Sequence, residues 1–192
     1  STGFKYIRDI RSLDDFNGVW NLRINDLGDD FMISSNQMGP FPEGLQVGLV
    51  NINKRKVLLN FLDHKEMIAN NQNSVYDLKI IAGDKEYVKS MSQEILSSIP
   101  EEFSLGQNYP NPFNPITQME YSLPQRSKVV ISIYNVLGQE IKSLINKEQD
   151  YGYHSVTWDG TDRLGKSVAS GVYFTQMRSG GFSQSKKMLL LK

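Results

Sequence analysis

Two aspartates in a short polar loop are the residues best placed to bind a metal ion. Asp159 and Asp162 lie in the heptapeptide Asp-Gly-Thr-Asp-Arg-Leu-Gly, where their carboxylates could supply oxygen ligands to calcium. The EF-hand calcium loop needs more oxygen ligands and a distal Glu, and this loop lacks both. The alternative interpretation is structural: an Asx turn in which Gly160 and Gly165 adopt positive φ.

A histidine, a serine and an aspartate close in sequence have the side chains of a hydrolase triad. His154 and Ser155 are adjacent, and Asp159 follows. Neighbouring residues on a strand point to opposite faces, so His154 and Ser155 should not face each other. The sequence also has no Gly-x-Ser-x-Gly elbow. We therefore expect no catalytic residue in this group.

The other titratable side chains favour solvated positions. The adjacent pairs Asp29–Asp30 and Glu101–Glu102 lie in predicted turn and linker positions, and His64 lies in an acidic stretch. General acid–base pairs need a shared cleft, which such positions do not provide. The chain has no cysteine, which excludes disulfides, thiolate nucleophiles and Cys-based zinc sites. We expect no cofactor and no enzyme activity, although a catalytic domain could lie upstream.

The two tryptophans are candidate sugar-stacking platforms. Trp158 alternates with Val156, which predicts a side chain buried in a core rather than an exposed platform. Burial is also the favoured interpretation for Trp20.

The elements that must position these residues are mostly strands, because apolar residues recur at every second position. Turn-forming residues separate the alternating sets in the first half and predict a small β-sandwich. The sets are Trp20, Leu22, Ile24; Leu45, Val47, Leu49; Val57, Leu59, Phe61; and Tyr76, Leu78, Ile80.

One stretch breaks this alternation. Tyr87, Met91, Ile95 and Ile99 have the four-residue spacing of a helix. A short helix and a strand at residues 87–88 followed by an extended linker are both compatible with the sequence. A Pro-rich segment at residues 107–115 comes next, and its three prolines predict a rigid, extended strap.

The second half returns to alternation over six or seven strands, which is the scale of an immunoglobulin-like sandwich. Residues 135–138 predict a turn. We expect Tyr109 and Phe113 to pin the strap to the core. The alternating sets are Met119, Tyr121, Leu123; Val129, Ile131, Ile133; and His154, Val156, Trp158.

Composition and charge support two domains. Hydrophobic residues make up 39% and charged residues 22% of the 192 residues, as in globular proteins. Residues 1–102 contain 11 Lys/Arg and 15 Asp/Glu, a net charge of −4, whereas residues 103–192 contain 10 and 6, a net charge of +4. This small, dispersed charge does not indicate nucleic-acid binding, and no apolar run is long enough for a transmembrane segment.

Five ordered segments carry a resemblance to a known family. They are residues 103–115, 133–139, 152–160, 170–174 and 186–192. They resemble the C-terminal sorting domain of the type IX secretion system, the Por secretion tail of Bacteroidetes-type bacteria. Its immunoglobulin-like fold is related to that of flagellar hook-capping proteins. Residues 42–47 and 80–83 resemble the β-sandwich modules that often precede such tails.

The resemblance implies a role in protein transport. Such tails direct a folded upstream cargo from the periplasm through an outer-membrane translocon, and a sortase-like peptidase often removes them. It implies translocon recognition by Lys186, Lys187, Met188, Leu189, Leu190, Leu191 and Lys192. It also implies structural roles for Asn108, Tyr109, Pro110, Asn111, Pro112, Phe113, Gly138, Trp158, Asp159, Gly160, Gly165, Gly171 and Tyr173.

We therefore predict an all-β chain of two tandem immunoglobulin-like antiparallel β-sandwiches. Residues 1–98 form a spacer or binding module, residues 99–115 a Pro-rich linker and strap, and residues 116–192 the sorting domain. Residues 1–5 lack an initiator Met and an apolar signal core, so we expect the C-terminal piece of a longer protein. The resemblance implies that this protein is secreted or lies on the cell surface. The alternatives are a carbohydrate- or protein-binding module of a surface enzyme and a structural subunit of a surface assembly.

Overall fold

The chain divides into two compact units, Ser1–Leu96 and Ser97–Lys192. The computed structural model describes residues 17–24, 31–34, 42–59, 65–68 and 76–192. Antiparallel strands dominate both units, which confirms the predicted all-β class. The predictions made for Asp29, Asp30, Phe61 and His64 lie outside the described residues.

The first unit contains a four-stranded antiparallel sheet in the order β1-β6-β3-β4 and a separate β2-β5 ribbon. Strand β4 ends earlier than its alternation predicts, and Leu59 beyond it is exposed. The strands are β1 (Gly18–Ile24), β2 (Phe31–Ser34), β3 (Gln46–Asn51), β4 (Lys56–Leu58), β5 (Lys65–Ile68) and β6 (Tyr76–Gly83).

Strand β3 is buried on both faces, not only on the one that alternation predicts. Val47 and Leu49 pack in a cluster with Tyr76 and Leu78 of β6. On the opposite face, a Cβ atom at Gly48 would approach Cγ1 of Val88 to 2.9 Å. A helix therefore covers this side of the sheet at close range.

That helix, α1 (Lys85–Ser98), resolves the two alternatives left by the sequence in favour of a helix. The Asp84 carboxylate caps it by accepting a hydrogen bond from the Tyr87 amide at 2.8 Å. Its buried side chains are Val88, Ser92 and Ile95. Of the predicted set, Ile95 and also Ile99 just after the helix are buried, whereas Tyr87 and Met91 are only half-buried. No helix in the described ranges is long and apolar enough to cross a membrane.

The second unit is a seven-stranded sandwich of a four-stranded sheet, β10-β9-β12-β13, and a three-stranded sheet, β11-β8-β7. All of its strand pairs are antiparallel. The strands are β7 (Ser104–Leu105), β8 (Thr117–Leu123), β9 (Ser127–Asn135), β10 (Glu140–Gln149), β11 (Gly152–Trp158), β12 (Gly171–Ser179) and β13 (Phe182–Leu190).

The core of this unit lies between the two sheets, where alternating residues predicted it. Met119, Tyr121 and Leu123 of β8 are buried on one sheet. On the other sheet, the predicted set from β9 is fully buried, together with Met177 of β12 and Met188 and Leu190 of β13. Trp158 is also fully buried, as predicted, whereas Trp20 in the first unit is half-buried.

Candidate protein-recognition surface

The Pro-rich strap, residues 107–115, is first tied to the three-stranded sheet. The backbones of Tyr109 and Gln118 exchange two hydrogen bonds of 2.8 and 3.0 Å. The buried Asn108 donates from Nδ2 to the Pro110 carbonyl at 3.0 Å and to the Thr117 hydroxyl at 2.9 Å. The Thr117 hydroxyl in turn donates to the Pro110 carbonyl. These bonds fix the strap against β8.

The same strap is then tied to the last strand of the other sheet. The Phe113 amide donates to the Leu189 carbonyl at 3.0 Å, and the Leu191 amide donates to the Phe113 carbonyl at 2.9 Å. The Asn111 carboxamide accepts from the Leu189 amide at 3.0 Å and thereby acts as a strand backbone would. The strap thus bridges the two sheets and covers the C-terminal part of the edge of β13.

The two aromatic residues of the strap have different roles. Phe113 is 2% exposed, and its ring lies 5.5 Å from that of Trp158, which packs edge-on against Tyr173 at 5.1 Å. Tyr109 is 81% exposed. The expectation that both aromatic side chains pin the strap to the core is therefore wrong for Tyr109, which holds only through its backbone.

The basic and aliphatic residues at the end of β13 are spread over two faces. Met188 and Leu190 are buried between the sheets, and Leu189 lies on the outer face. Alternation also places Lys186 toward the sandwich and Lys187 away from it. Lys192 follows the strand, and its backbone amide donates to Ser170 Oγ at 3.1 Å while its ammonium donates to the Val168 carbonyl. The three lysines do not form one cluster.

One end of the sandwich, here called the tip, gathers exposed apolar side chains. It comprises the turn between β9 and β10, the loop between β11 and β12, the start of β8 and the residues after β13. The Arg163 amide joins two of these segments by donating to the Ile141 carbonyl at 3.0 Å. The exposed apolar residues at the tip, 49–78% accessible, are Ile116, Val136, Leu137, Leu164 and Leu191.

The opposite end of the sandwich is polar. Arg126 lies 3.7 Å from carboxylate oxygens of both Glu148 and Asp150. No exposed large apolar side chain occurs in the turns there, all of which lie in the described range 76–192. Contiguous exposed apolar surface marks protein–protein contact sites more often than scattered apolar residues do. The tip is therefore the candidate recognition surface.

The polar loop after β11 shows the Asx geometry that was the structural interpretation. Asp159 Oδ1 accepts from the Thr161 amide at 3.1 Å, and Asp162 Oδ1 accepts from the amides of Leu164 and Lys166. The Lys142 ammonium lies 2.9 Å from Asp159 Oδ1. A calcium ion at Asp159 would have to displace this positive charge, which opposes its binding.

The glycines to which the resemblance assigns structural roles lie in or next to the turns at the tip. Gly160 has φ +68°, and a Cβ there would meet the Pro115 carbonyl at 3.0 Å, so this position also needs the absence of a side chain. Gly138 has φ +75° in a turn whose Asn135 side chain accepts from two backbone amides. Gly165 and Gly171 also have positive φ.

The Asp159 carboxylate gives a testable prediction. The pKa of Asp159 is lowered from 3.8 to about 2, first by the hydrogen bond from the Thr161 hydroxyl and also by the Lys142 ammonium. Folding favours its ionised form, so this stabilisation is present above pH 4 and is lost as the pH falls toward 2. We expect Thr161→Val to raise the pKa of Asp159, measured by NMR titration of its carboxyl carbon.

Asp162 is the internal control for that titration. Its pKa is lowered by hydrogen bonds from the backbone amides of Lys166 and Leu164, which Thr161→Val leaves in place. The explanation fails if the Asp159 carboxyl titrates at its ordinary value in the unmodified chain, or if both aspartates shift together in the variant.

The side chains of His154 and Ser155 do not face each other, as alternation on a strand predicts. They alternate across β11, with His154 half-buried and Ser155 exposed. The His154 ring stacks on Tyr121 at 5.3 Å, and its Nε2 lies 2.9 Å from the Asp150 carbonyl. Ser155 lies on the opposite face, so no nucleophile faces this imidazole from its own strand.

Sequence reasoning missed the partners that lock the strap and the loop. Thr117, Lys142 and Gln184 each hold a segment distant in sequence; Gln184 Oε1 accepts from the Leu105 amide at 2.9 Å. Their residue types did not indicate these contacts, because polar residues on strands usually face water. Val136 and Leu137 could have been singled out from the sequence, because two adjacent apolar residues are unusual in a turn.

Comparison with known proteins finds a family that the central part of the second unit is similar to. Residues 116–181 match the family model of the FlgD Ig-like domain. The match begins just before β8 and ends at the turn between β12 and β13, so the strap and β13 lie outside it. No curated protein matches the chain.

Two solved structures are similar at low identity. PorZ is described as an essential bacterial surface component of the type-IX secretion system of human oral-microbiomic Porphyromonas gingivalis. It is 15% identical with a TM-score of 0.33, over 59% of this chain and 14% of PorZ. Dimeric latent PorU from Porphyromonas gingivalis is 14% identical with a TM-score of 0.38, over 92% of this chain and 18% of PorU. The chain thus spans less than a fifth of either protein.

Proposed function

We propose that the second unit is a sorting tail that directs a longer protein through the type IX secretion system to the cell surface. The tail acts by binding an outer-membrane translocon and then a sortase-like peptidase, and it has no catalytic role of its own. The first unit serves as a spacer or binding module between the tail and an upstream cargo domain.

The observation that carries this proposal is the position of the tip. The C-terminal strand, locked by the strap to both sheets, ends among the exposed apolar side chains. A partner that contacts this end meets the end of β13 and the apolar surface together. A folded module with such an end suits recognition of a folded cargo, because the contact needs no unfolding of the tail.

The five segments that resemble sorting tails support the same surface. Parts of four of them reach the tip: residues 136–139 form its turn, residues 159–160 and 170 lie in its loop, and residues 190–192 end β13 and follow it. The first segment supplies the strap. The turns at the polar end, residues 124–126 and 180–181, lie outside all five. Each of these four segments thus has a part at the end where the apolar side chains are exposed.

The experiment fuses the 192-residue chain to a fluorescent protein carrying a periplasmic export signal, in a bacterium with a type IX system. We expect protease-accessible fluorescence on the cell surface, and periplasmic retention in a strain that lacks the translocon. Val136→Asp with Leu137→Asp should reduce the surface fraction at least about tenfold, because two charges enter an apolar contact that carries a few kcal/mol.

The matched control places a charge at the polar end. Gln125→Asp alters an exposed residue on that end and should leave the surface fraction unchanged. The proposal is wrong if the unmodified fusion stays in the periplasm, or if the tip variant, with native thermal unfolding, reaches the surface as efficiently as the parent.

A further inference from the structure

The outer face of the three-stranded sheet carries two exposed tyrosines. Tyr153 of β11 pairs with Ser122 of β8, and Tyr109 of the strap pairs with Gln118 of β8. Directly paired residues project to the same side of an antiparallel sheet, so both rings stand on this face. They are 74% and 81% exposed, and neither is needed for the core.

The spacing between these rings suits a long ligand. The tyrosines flank β8 on opposite sides and are offset by four residues along it. With a strand spacing of about 4.8 Å and a rise of about 3.4 Å per residue, their Cα atoms are about 17 Å apart. A chain of several sugar units can span this distance, whereas a single ring cannot.

Polar side chains without a protein partner lie between the tyrosines. Gln118, Glu120, Ser155 and Thr157 are exposed, and their side chains make no hydrogen bond or ion pair within the residues that the structure describes. A groove of about 470 Å³ lies on this face beside Tyr153 and extends to Gln118, the residue that pairs with Tyr109; Glu120 and Ser155 are among its lining residues. Gly106 also lines it, and a Cβ atom there would lie 3.0 Å from the Glu120 carbonyl oxygen.

From this geometry we propose that the face binds an extended, uncharged oligosaccharide. Tyrosine rings supply rigid amphipathic surfaces that can stack on the C–H faces of sugar rings. The amide, carboxylate and hydroxyl groups between them supply donors and acceptors for sugar hydroxyls. Glu120 is the only charged side chain among the outward-facing residues of these strands. An anionic glycan or a nucleic acid would need cations here, and an apolar peptide would find no apolar floor.

The test is native affinity electrophoresis of the 192-residue chain in gels containing one polysaccharide each. The neutral probes are hydroxyethylcellulose, arabinoxylan, mixed-linkage β-glucan, galactomannan and amylopectin, and polygalacturonate is the anionic probe. We expect retardation by at least one neutral probe and none by polygalacturonate. Tyr153→Ala and Tyr109→Ala should each raise the Kd about tenfold, the loss expected for one aromatic contact.

Leu137→Ala is the matched control, since it removes an exposed apolar side chain at the tip and should leave the Kd unchanged. Both tyrosines are exposed, so their variants should unfold at the temperature of the parent. The proposal is overturned if no neutral probe retards the chain, if polygalacturonate alone does, or if both tyrosine variants bind as the parent does. Export of the fusion protein should not respond to the tyrosine variants, which separates this site from the sorting function.

Discussion

Replacing Phe113 with alanine is expected to destabilise the second unit by about 3–5 kcal/mol. The Phe113 ring is 2% exposed and packs against the fully buried Trp158. The cavity cannot collapse easily, because the Trp158 indole is held by a hydrogen bond from Nε1 to the Thr161 carbonyl at 2.9 Å. The variant should also loosen the end of β13, since the strap and this strand share two backbone hydrogen bonds.

Trp158 fluorescence during urea unfolding measures this effect in a Trp20→Phe background. That background leaves one tryptophan, so the signal reports the second unit alone. We expect a lower midpoint with an unchanged slope, as for a loss of stability without a change in exposed area. Tyr109→Ala is the control in the same strap, and its effect should stay within about 0.5 kcal/mol because that side chain is exposed. Equal losses of stability in the two variants would contradict the conclusion that Phe113, and not Tyr109, holds the strap to the core.

The contrast between these two aromatic residues shows what the sequence could and could not predict. The prolines predicted a rigid strap, and alternation predicted the core sets of β8 and β9. Both depend on local geometry. Which strap aromatic enters the core depends on pairing with Gln118 on one side and Leu190 on the other, and that pairing is set by residues far along the chain.

The same limit applies to the faces of β13. Alternation along this strand separates Leu189 from Met188 and Leu190, but it could not say that Met188 and Leu190 face the core. The burial of one face is decided by where the second sheet lies, which a two-residue period does not encode. In the first unit, β3 is buried on both faces because α1 covers the side that would otherwise meet water.

The tip could not be predicted from any one segment. Val136 and Leu137 are separated from Leu164 and Leu191 by whole strands, and only the order of strands in the two sheets brings them to one end. The five resembling segments include Val136, Leu137 and Leu191 but not Ile116 or Leu164, and they do not show that these residues converge. The convergence of these side chains is a property of topology, whereas the strands that support it follow from local pattern.

Deleting residues 183–192 is expected to unfold the second unit. The deletion removes Met188 and Leu190, both 0% exposed, and nearly the whole strand paired with β12. Loss of two such side chains costs roughly 4–10 kcal/mol, against a total stability of about 5–15 kcal/mol for a domain. Trp158 emission should shift to that of an exposed indole, and limited proteolysis should degrade the second unit.

An export defect in this truncation would therefore report lost folding and not lost recognition. Lys187→Ala separates the two, because it removes an exposed basic side chain and leaves the buried residues of β13 in place. We expect its unfolding midpoint to match that of the parent, so any change in surface display would come from recognition. A truncated chain that keeps a cooperative urea transition of Trp158 would contradict the role of β13 in the core. In that case the strap would have to hold the sandwich closed without its partner strand.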